Sequence, residues 1–564
     1  MTPLNNHSSN DGSLSLIPEQ PPVEGTSTAV SAGRDVSIYN QKQSLFFCLP
    51  DEQKSMIVRY LAFREVTRLA KTCKYLYDLV NEEKALEKAW YRRFPSAYQN
   101  PLDTLVRTKD EQQLRDWLKA FADKDTIESL LTQKESTFFP AQLFFTNSKL
   151  MSQCETFSPV VKIEIPNVET KNKASFSPDS SHLVTVDLDQ TAKITGQKTD
   201  GSWVVKTTTI PHESLILSPT FSPDGHLMVT DSHDCHAKIC AQEDDGSWKV
   251  KDTIAREFEL TMSTPLSFSV TSATFSTDGR CLLTSCMDGT VKIYDQETDG
   301  SWKTKYTIRQ NPTVLGASFS ADSSHLLVCG ENNVTIYGQK DDSSWEVKVT
   351  INHDNSVRSA SFSANGSYVA TASEEGTAKI YGLQSDGSWE KITIITHNDR
   401  LYSATFSPDS RHLLTVYEDN TVEIHGPQTD GPWQVKYTFK HNDRIMSASF
   451  SPDSSHMVTT SMDNTAKIHC LQADGSWKVK ATICHRDYVL SAAFSPDSCH
   501  LVTASLDCTA KIYGPGPKGS WEKKAIISDS FGILWAIFSP DGRNVLTISK
   551  KDCTAKIIEL QKND

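Results

Sequence analysis

Residues 444–483 read RIMSASFSPDSSHMVTTSMDNTAKIHCLQADGSWKVKATI. Apolar runs of four to seven residues alternate there with Pro-Asp, Asp-Asn and Asp-Gly clusters, the pattern of short strands joined by tight turns. The spacing places strand a at Ile445 to Phe450, b at His456 to Ser461, c at Thr465 to His469 and d at Trp477 to Ile483. The same text recurs along the chain. Its FSPD-like turn opens on Phe176, Phe221, Phe275, Phe319, Phe362, Phe406, Phe450, Phe494 and Phe538, in steps of 45, 54, 44, 43, 44, 44, 44 and 44. Eight of the eleven tryptophans, Trp203, Trp248, Trp302, Trp345, Trp389, Trp433, Trp477 and Trp521, follow about 27 residues behind. A period of 40 to 45 residues signals one body built by radial repetition.

Four antiparallel strands make one blade of a β-propeller. A blade cannot bury both faces alone, so blades must stack, with Phe450, Val458, Ile468 and Trp477 as the expected interface residues. Ring closure is legible at the two ends of the array. VKIEI at Val161 to Ile165 stands 15 to 11 residues before Phe176, the offset that VKATI at Val479 to Ile483 has from Phe494. The last unit runs through strand c at Thr554 to Ile558 and has no fourth strand of its own. Pairing Val161 to Ile165 with Ala555 to Ile558 would close the ring and remove two exposed sheet edges. The expectation is a mainly β fold, a closed propeller with nine blades favoured. Eight blades with one ill-fitting unit, or a split array, stay open, because nine exceeds the usual number.

The FSPDG turn, the S-x-D-x-T turn and the T-x-K-I strand resemble the WD-repeat family over residues 160 to 564. Two departures put the family's hydrogen-bond network in question. Its Trp-Asp after strand c is replaced by Tyr294, Tyr337, Tyr381, His425, His469 and Tyr513, and its Gly-His before strand a survives only as His212, His353, His397, His441 and His485.

The chain has 564 residues, 38% hydrophobic and 23% charged, with a net charge of −13. That balance fits a globular protein with ample core and argues against a broad electrostatic grip on nucleic acid. No apolar run approaches the length of a membrane-spanning helix, and the start lacks a signal-peptide layout. The expected setting is cytoplasmic or nuclear, with no membrane partner. The thirteen cysteines lack paired spacing, which points to reduced structural thiols and to neither a metal site nor a cofactor.

Residues 1–43 are rich in Ser, Asn, Pro, Gly and Thr and read as a disordered leader. From Leu45 a helical pattern begins, with Val66, Leu69, Ala70, Cys73, Leu76, Tyr77 and Val80 at helical spacing. Pro50 suits a first helical turn, and Asp51 and Glu52 complement the positive helix end. LPDE, the turn Ile57 to Leu61, RLAKTCKYLYDLV and the closing WYRRF resemble an F-box. That module docks a substrate receptor onto the Skp-family adaptor of cullin-based ubiquitin ligases. Carried over, the resemblance implies adaptor contacts at Leu49, Pro50, Ile57, Leu61, Val66 and Leu69. The bland alternative is the core of an unrelated helical segment. The boundaries read from the sequence are a leader over 1–43, an F-box-like module over 44–95, a helical linker over 96–158 and the propeller over 159–564. Within the linker, EQQLRDWLKAFAD puts Leu114, Trp117, Leu118 and Phe121 on one face, expected to pack on the propeller or the helical module. TFFPAQLFFT is left open between strand and irregular structure.

In such a propeller the d-to-a and b-to-c loops share one rim, and residues six and four places before each recurring phenylalanine face the central opening. Those positions bring Arg358, Arg400 and Arg444 onto neighbouring blades beside Tyr402, Met446 and Tyr488. Arginine forks suit carboxylates and phosphates, and Tyr and Arg are common hot spots, so an acidic or phosphorylated ligand is expected. The alternative is that the arginines pair with Asp399, Asp443 and Asp487 of the same loops. The second d-to-a connection carries ten extra residues, roughly Ala255 to Leu266, on the same rim, either a binding feature or drift in a tolerant loop. His353, His397, His441 and His485 have an aspartate two or three residues away, but a catalytic pair is needed once, whereas a turn bond is needed in every blade. No nucleotide-binding glycine fingerprint follows a strand.

The combination resembles F-box WD-repeat proteins. It implies a non-enzymatic receptor that docks a Skp-family adaptor and cullin ligase core through its helices and captures a protein or peptide target on the rim. The alternatives are an interaction scaffold without a ubiquitin link, or a bacterial effector that mimics such a receptor in the host cytosol. The near-identity of repeats such as SPDSSHLVT and SPDSSHMVT indicates recent duplication and leaves origin open.

Overall fold

The computed structural model describes residues 111–118, 122, 124–134, 136 and 139–562, apart from 170–173, 199–201, 244–245, 256–268, 299, 311–312, 342 and 429–430. Before residue 111 it describes only isolated positions, among them Val66, Trp90 and Phe94. Nine four-stranded antiparallel sheets follow one another. Blades 1 to 8 span 174–211, 216–255, 270–309, 314–352, 357–396, 401–440, 445–484 and 489–528. Blade 9 joins 533–562 to a strand from the other end of the array, Phe157–Ile165. The eight-bladed and split alternatives are thereby set aside.

Blade 7 has strands Ile445–Phe450, His456–Ser461, Thr465–Leu471 and Trp477–Cys484, the last two slightly longer than the sequence indicated. Its four expected interface residues are all buried, but they divide between two interfaces. Phe450 and Trp477 pack with Leu414, Val416, Val422 and Ile424 of blade 6. Val458 and Ile468 pack with Val489, Phe494 and Leu501 of blade 8. Each blade thus lends its a and d aromatics backwards and its b and c aliphatics forwards. Within blade 7 the Phe450 and Trp477 rings meet at 5.8 Å, and His412 of blade 6 stands edge-on to Trp477 at 5.6 Å. Edge-to-face pairs of this kind add about 0.5–1.5 kcal/mol beyond their buried area.

The closing strand pairs Val161 with Ile558 and Ile165 with Ala555, the pairing expected from the offsets. Phe157 takes the tryptophan's place, with its ring edge-on to His500 of blade 8 at 5.4 Å. Polar stitches also run between blades. The fourth residue of the a-to-b turn is left-handed in every blade, at φ 60 in Ser180, 59 in Ser454 and 76 in Gly225, for example. Where it is serine, its Oγ accepts an amide of the preceding blade, as in Asp409 N to Ser454 Oγ at 2.9 Å and, across the closure, Asp541 N to Ser180 Oγ at 3.0 Å. Serine accepts the cost of this conformation, and the bond offsets it.

Residues 139–146 of TFFPAQLFFT are helical, neither strand nor irregular. The described helices are α1 (Glu111–Leu118), α2 (Lys124–Leu131) and α3 (Phe139–Gln153). Pro140 sits in the first turn of α3, where no amide hydrogen is needed. Leu114 is buried among Ile127, Leu130, Leu131, Phe139 and Leu143, so α1 packs on the neighbouring helices. Trp117, Leu118 and Phe121 lie outside the described side chains. Phe144 of α3 stacks into Trp90 and Phe94 at 5.1 and 5.8 Å. Met151 and Cys154 at its far end join the core of blades 8 and 9, and Lys524 Nζ donates to the Cys154 carbonyl at 3.0 Å. A single helix therefore links the WYRRF segment to the propeller.

Candidate functional site

The recurring histidines carry the network that the altered repeat text put in question. In blades 2, 5, 7 and 8 the ring of His212, His353, His441 or His485 bridges a strand-b threonine and an acid in the b-to-c turn. His441, for instance, joins Thr459 at 2.8 Å and Asp463 at 2.9 Å. The acid lies 22 residues on, not two or three as the local spacing suggested. Burial lowers the pKa of His353, His441 and His485 against the pull of their acids. The Glu375 carboxyl, raised by burial but bonded by Thr377 and His353, falls to about 2. Both ring nitrogens are engaged, so these groups hold the loops that form the rim. Blade 6 departs: His397 stacks on Tyr417 at 3.9 Å, and Thr415 bonds His425 instead. His469 replaces tyrosine in blade 7, packs on Phe439 at 4.0 Å and is pushed by burial to about 3.

On the rim, Arg444 and Tyr402 meet. The guanidinium lies 5.5 Å from the Tyr402 ring centroid, a cation–π distance. The two residues line a cavity of about 230 Å³ with Ser403, Val416, Met446 and Ser447. The other arginines are answered by acids of the b-to-c turns. Arg358 pairs with Glu374, and Arg400 Nε lies 3.9 Å from Glu418, which also accepts the Tyr402 hydroxyl at 3.3 Å. Asp399, Asp443 and Asp487 accept backbone amides of Arg400, Arg444 and Tyr488, so the arginines pair with acids, as the alternative held, but not with those of their own loops. Tyr488, in the connection before blade 8, is exposed. Sequence reasoning missed Glu374 and Glu418, which sit 16 residues beyond Arg358 and 18 beyond Arg400 in a different turn.

The insertion after Ala255 lies outside the described residues, as do Leu49, Pro50, Ile57, Leu61 and Leu69, while Val66 is helical and fully buried. Among the described residues no cluster of His, Cys, Asp or Glu could hold a metal ion, and no helix is long and apolar enough to cross a membrane.

A family model described as F-box-like matches residues 46–93. One described as WD domain, G-beta repeat, matches 258–295, 345–382, 389–425, 433–470 and 477–514. The chain thus carries an F-box-like segment and five WD repeats, the repeats lying within a nine-bladed propeller. Both kinds of module typically serve interaction. Among solved structures, Sqt1 of Saccharomyces cerevisiae is 16% identical with a TM-score of 0.47, over 62% of this chain and 97% of that one. Chaetomium thermophilum Sqt1 bound to the N-terminus of the ribosomal protein L10 is 15% identical with a TM-score of 0.46, over 62% and 97%. No curated protein matches the sequence.

Proposed function

We propose that the chain is the substrate receptor of a Skp-cullin-F-box type ubiquitin ligase, working in the cytoplasm or nucleus. The observation that carries this reading is one chain joining an F-box-like match at 46–93 to a WD-repeat propeller, with α3 packed on both Trp90 and the last blades. The division into leader 1–43, module 44–95, linker 96–158 and propeller 159–564 goes with it. Leu49, Pro50, Ile57, Leu61, Val66 and Leu69 would contact the adaptor. Arg358, Arg400, Tyr402, Arg444, Met446 and Tyr488 would contact an acidic or phosphorylated protein segment, with Arg444 as anchor because no carboxylate pairs with it among the described residues. The propeller acts without a cofactor, by binding alone.

The test is co-purification of a Skp-family adaptor with the full chain and with a Leu49→Ala, Pro50→Ala variant. Apolar anchors cost about 2 kcal/mol or more each on truncation, so the variant should lose the adaptor while its propeller melts unchanged. Equal recovery from both would overturn the receptor reading. A wild type that brings down no adaptor would leave a ubiquitin-independent scaffold. Retrieval of a host adaptor by a chain of bacterial origin would mark a mimic.

A further inference from the structure

Each furrow between successive blades is flanked by four repeated positions. Two lie one and three places after the strand-d tryptophan of the leading blade. The others are the T-x-K-I lysine position of the following blade and the residue two places after its tryptophan. Between blades 7 and 8 these are Lys478, Lys480, Lys511 and Lys523. No other furrow has lysine at all four. Between blades 2 and 3 they are Lys249, Lys251, Lys292 and Thr304, and between blades 5 and 6 Glu390, Ile392, Glu423 and Val435.

The register turns the four lysines toward one another. Lys478 stands opposite Cys470, two residues from Ile468, which packs against blade 8. Lys523 stands opposite Tyr513, which packs against blade 7. Lys511 Nζ donates to the Cys484 carbonyl of blade 7 at 2.7 Å. A Cβ placed on Gly519 of blade 8 would lie 3.8 Å from Lys480 Nζ. Arg486, in the connection between the two blades, adds a fifth cation. Ile526, opposite Lys511, is 40% exposed on the same side.

These cations differ from the strand-d lysines of blades 2 and 3 in having no ion-pair partner among the described residues. Lys249 and Lys251 pair with Glu243, Lys303 with Glu297 and Lys305 with Asp295. Among the described residues none of Lys478, Lys480, Arg486, Lys511 or Lys523 has an ion pair. The aspartates nearby form turn bonds and no ion pair with these lysines, Asp463 and Asp507 with histidines, Asp474 with Ser476 and Asp487 with the Tyr488 amide, although Asp507 and Asp474 still attract Lys511 and Lys478. Burial, with the like charges of Lys523 and Arg486, depresses the Lys511 pKa against the pull of Asp507. On a protein of net charge −13, four lysines and an arginine gathered at one furrow are a local concentration of cations.

We propose that the furrow between blades 7 and 8 is a second interaction surface, on the side of the propeller, that takes an acidic extended segment of a protein partner. Alternating carboxylates fit cations spaced along an edge strand, and Ile526 offers an apolar contact between them. A long nucleic acid would meet the negative charge of the remaining body. This surface does not depend on the adaptor reading.

The test uses the full chain and a dye-labelled peptide of alternating glutamate and serine, followed by fluorescence anisotropy at rising salt. Lys478→Glu, Lys480→Glu and Lys523→Glu together should weaken binding about tenfold or more, an effect of roughly 1.4 kcal/mol. The corresponding glutamine variant should fall between. Lys249→Glu, Lys251→Glu and Lys303→Glu, the same charge change on other blades, should leave affinity within about twofold. All variants should melt with the parent, and the glutamine set carries the comparison if a reversal set does not. Equal binding by the two reversal sets would overturn the proposal. So would tighter binding of an oligothymidylate of matched charge than of the peptide.

Discussion

Blades 7 and 9 have the same four-stranded sheet and differ in how they are made. Blade 7 is continuous, with strand d held by Trp477 and its loop by the His441, Thr459 and Asp463 bridge. Blade 9 borrows strand d from residues nearly 400 positions away, puts Phe157 where the tryptophan belongs, and has Asp529 paired with Lys556 where the histidine would stand. Local turns can assemble blade 7. Blade 9 forms only when the two ends of the array meet, at the larger entropic cost of closing a long loop. The ring's stability therefore leans on a strand supplied from the other end of the array.

The largest effect should come from deleting residues 160–166, which unpairs blade 9 and reopens two edges. The expected outcome is loss of solubility or a sharply lower melting temperature, and a variant melting like the parent would place closure elsewhere. Phe157→Ala and Trp477→Ala should each cost about 3–5 kcal/mol by denaturant unfolding. If the borrowed strand is the weak point, the Phe157 variant should unfold first at blade 9, seen as early loss of hydrogen-exchange protection in 555–562.

His441→Ala should cost about 1–3 kcal/mol by stranding Thr459 and Asp463, a loss blade 9 cannot suffer. The histidines also set a pH sign. Their folded pKa lies below the unfolded value near 6.5, so their contribution is present above that value and is lost as pH falls below it. Asp231 in blade 2 runs the other way. Burial outweighs the Ser218 bonds and raises its carboxyl to about 6, so the ionised form is a cost that shrinks as pH falls from 6 towards 4. Asp231→Asn should stabilise the protein by about 1–3 kcal/mol at pH 7.5, and the gain should vanish near pH 4. A gain unchanged across that range would remove titration as its cause.

The smallest effect concerns the rim. Arg444→Glu should weaken target capture more than Arg358→Glu, because Glu374 already answers Arg358 and exposed pairs are worth about 0–1 kcal/mol. Equal losses in a pull-down of the target would remove Arg444 as anchor.

Strand positions, interface residues and closing register were legible because each is fixed by short-range spacing repeated nine times. What escaped was not periodic. The helix of TFFPAQLFFT is apolar on several sides, since Phe144 meets Trp90 while Phe139 and Leu143 meet α1 and α2, so no single stripe marks it. Phe157 escaped because it is not a tryptophan. The acids that answer His441, Arg358 and Arg400 lie in another turn, brought close only by the hairpin. For the rim, residue types were readable and partners were not.

The most direct test of ring closure is a disulfide between the two ends of the array. Ser158 stands opposite Gln561 in the closing pair, so Ser158→Cys with Gln561→Cys should cross-link under mild oxidation, giving a 158–561 peptide by mass spectrometry and a higher melting temperature. A double variant that stays unlinked while folded, or that links only between molecules, would contradict a nine-bladed ring closed by its first strand.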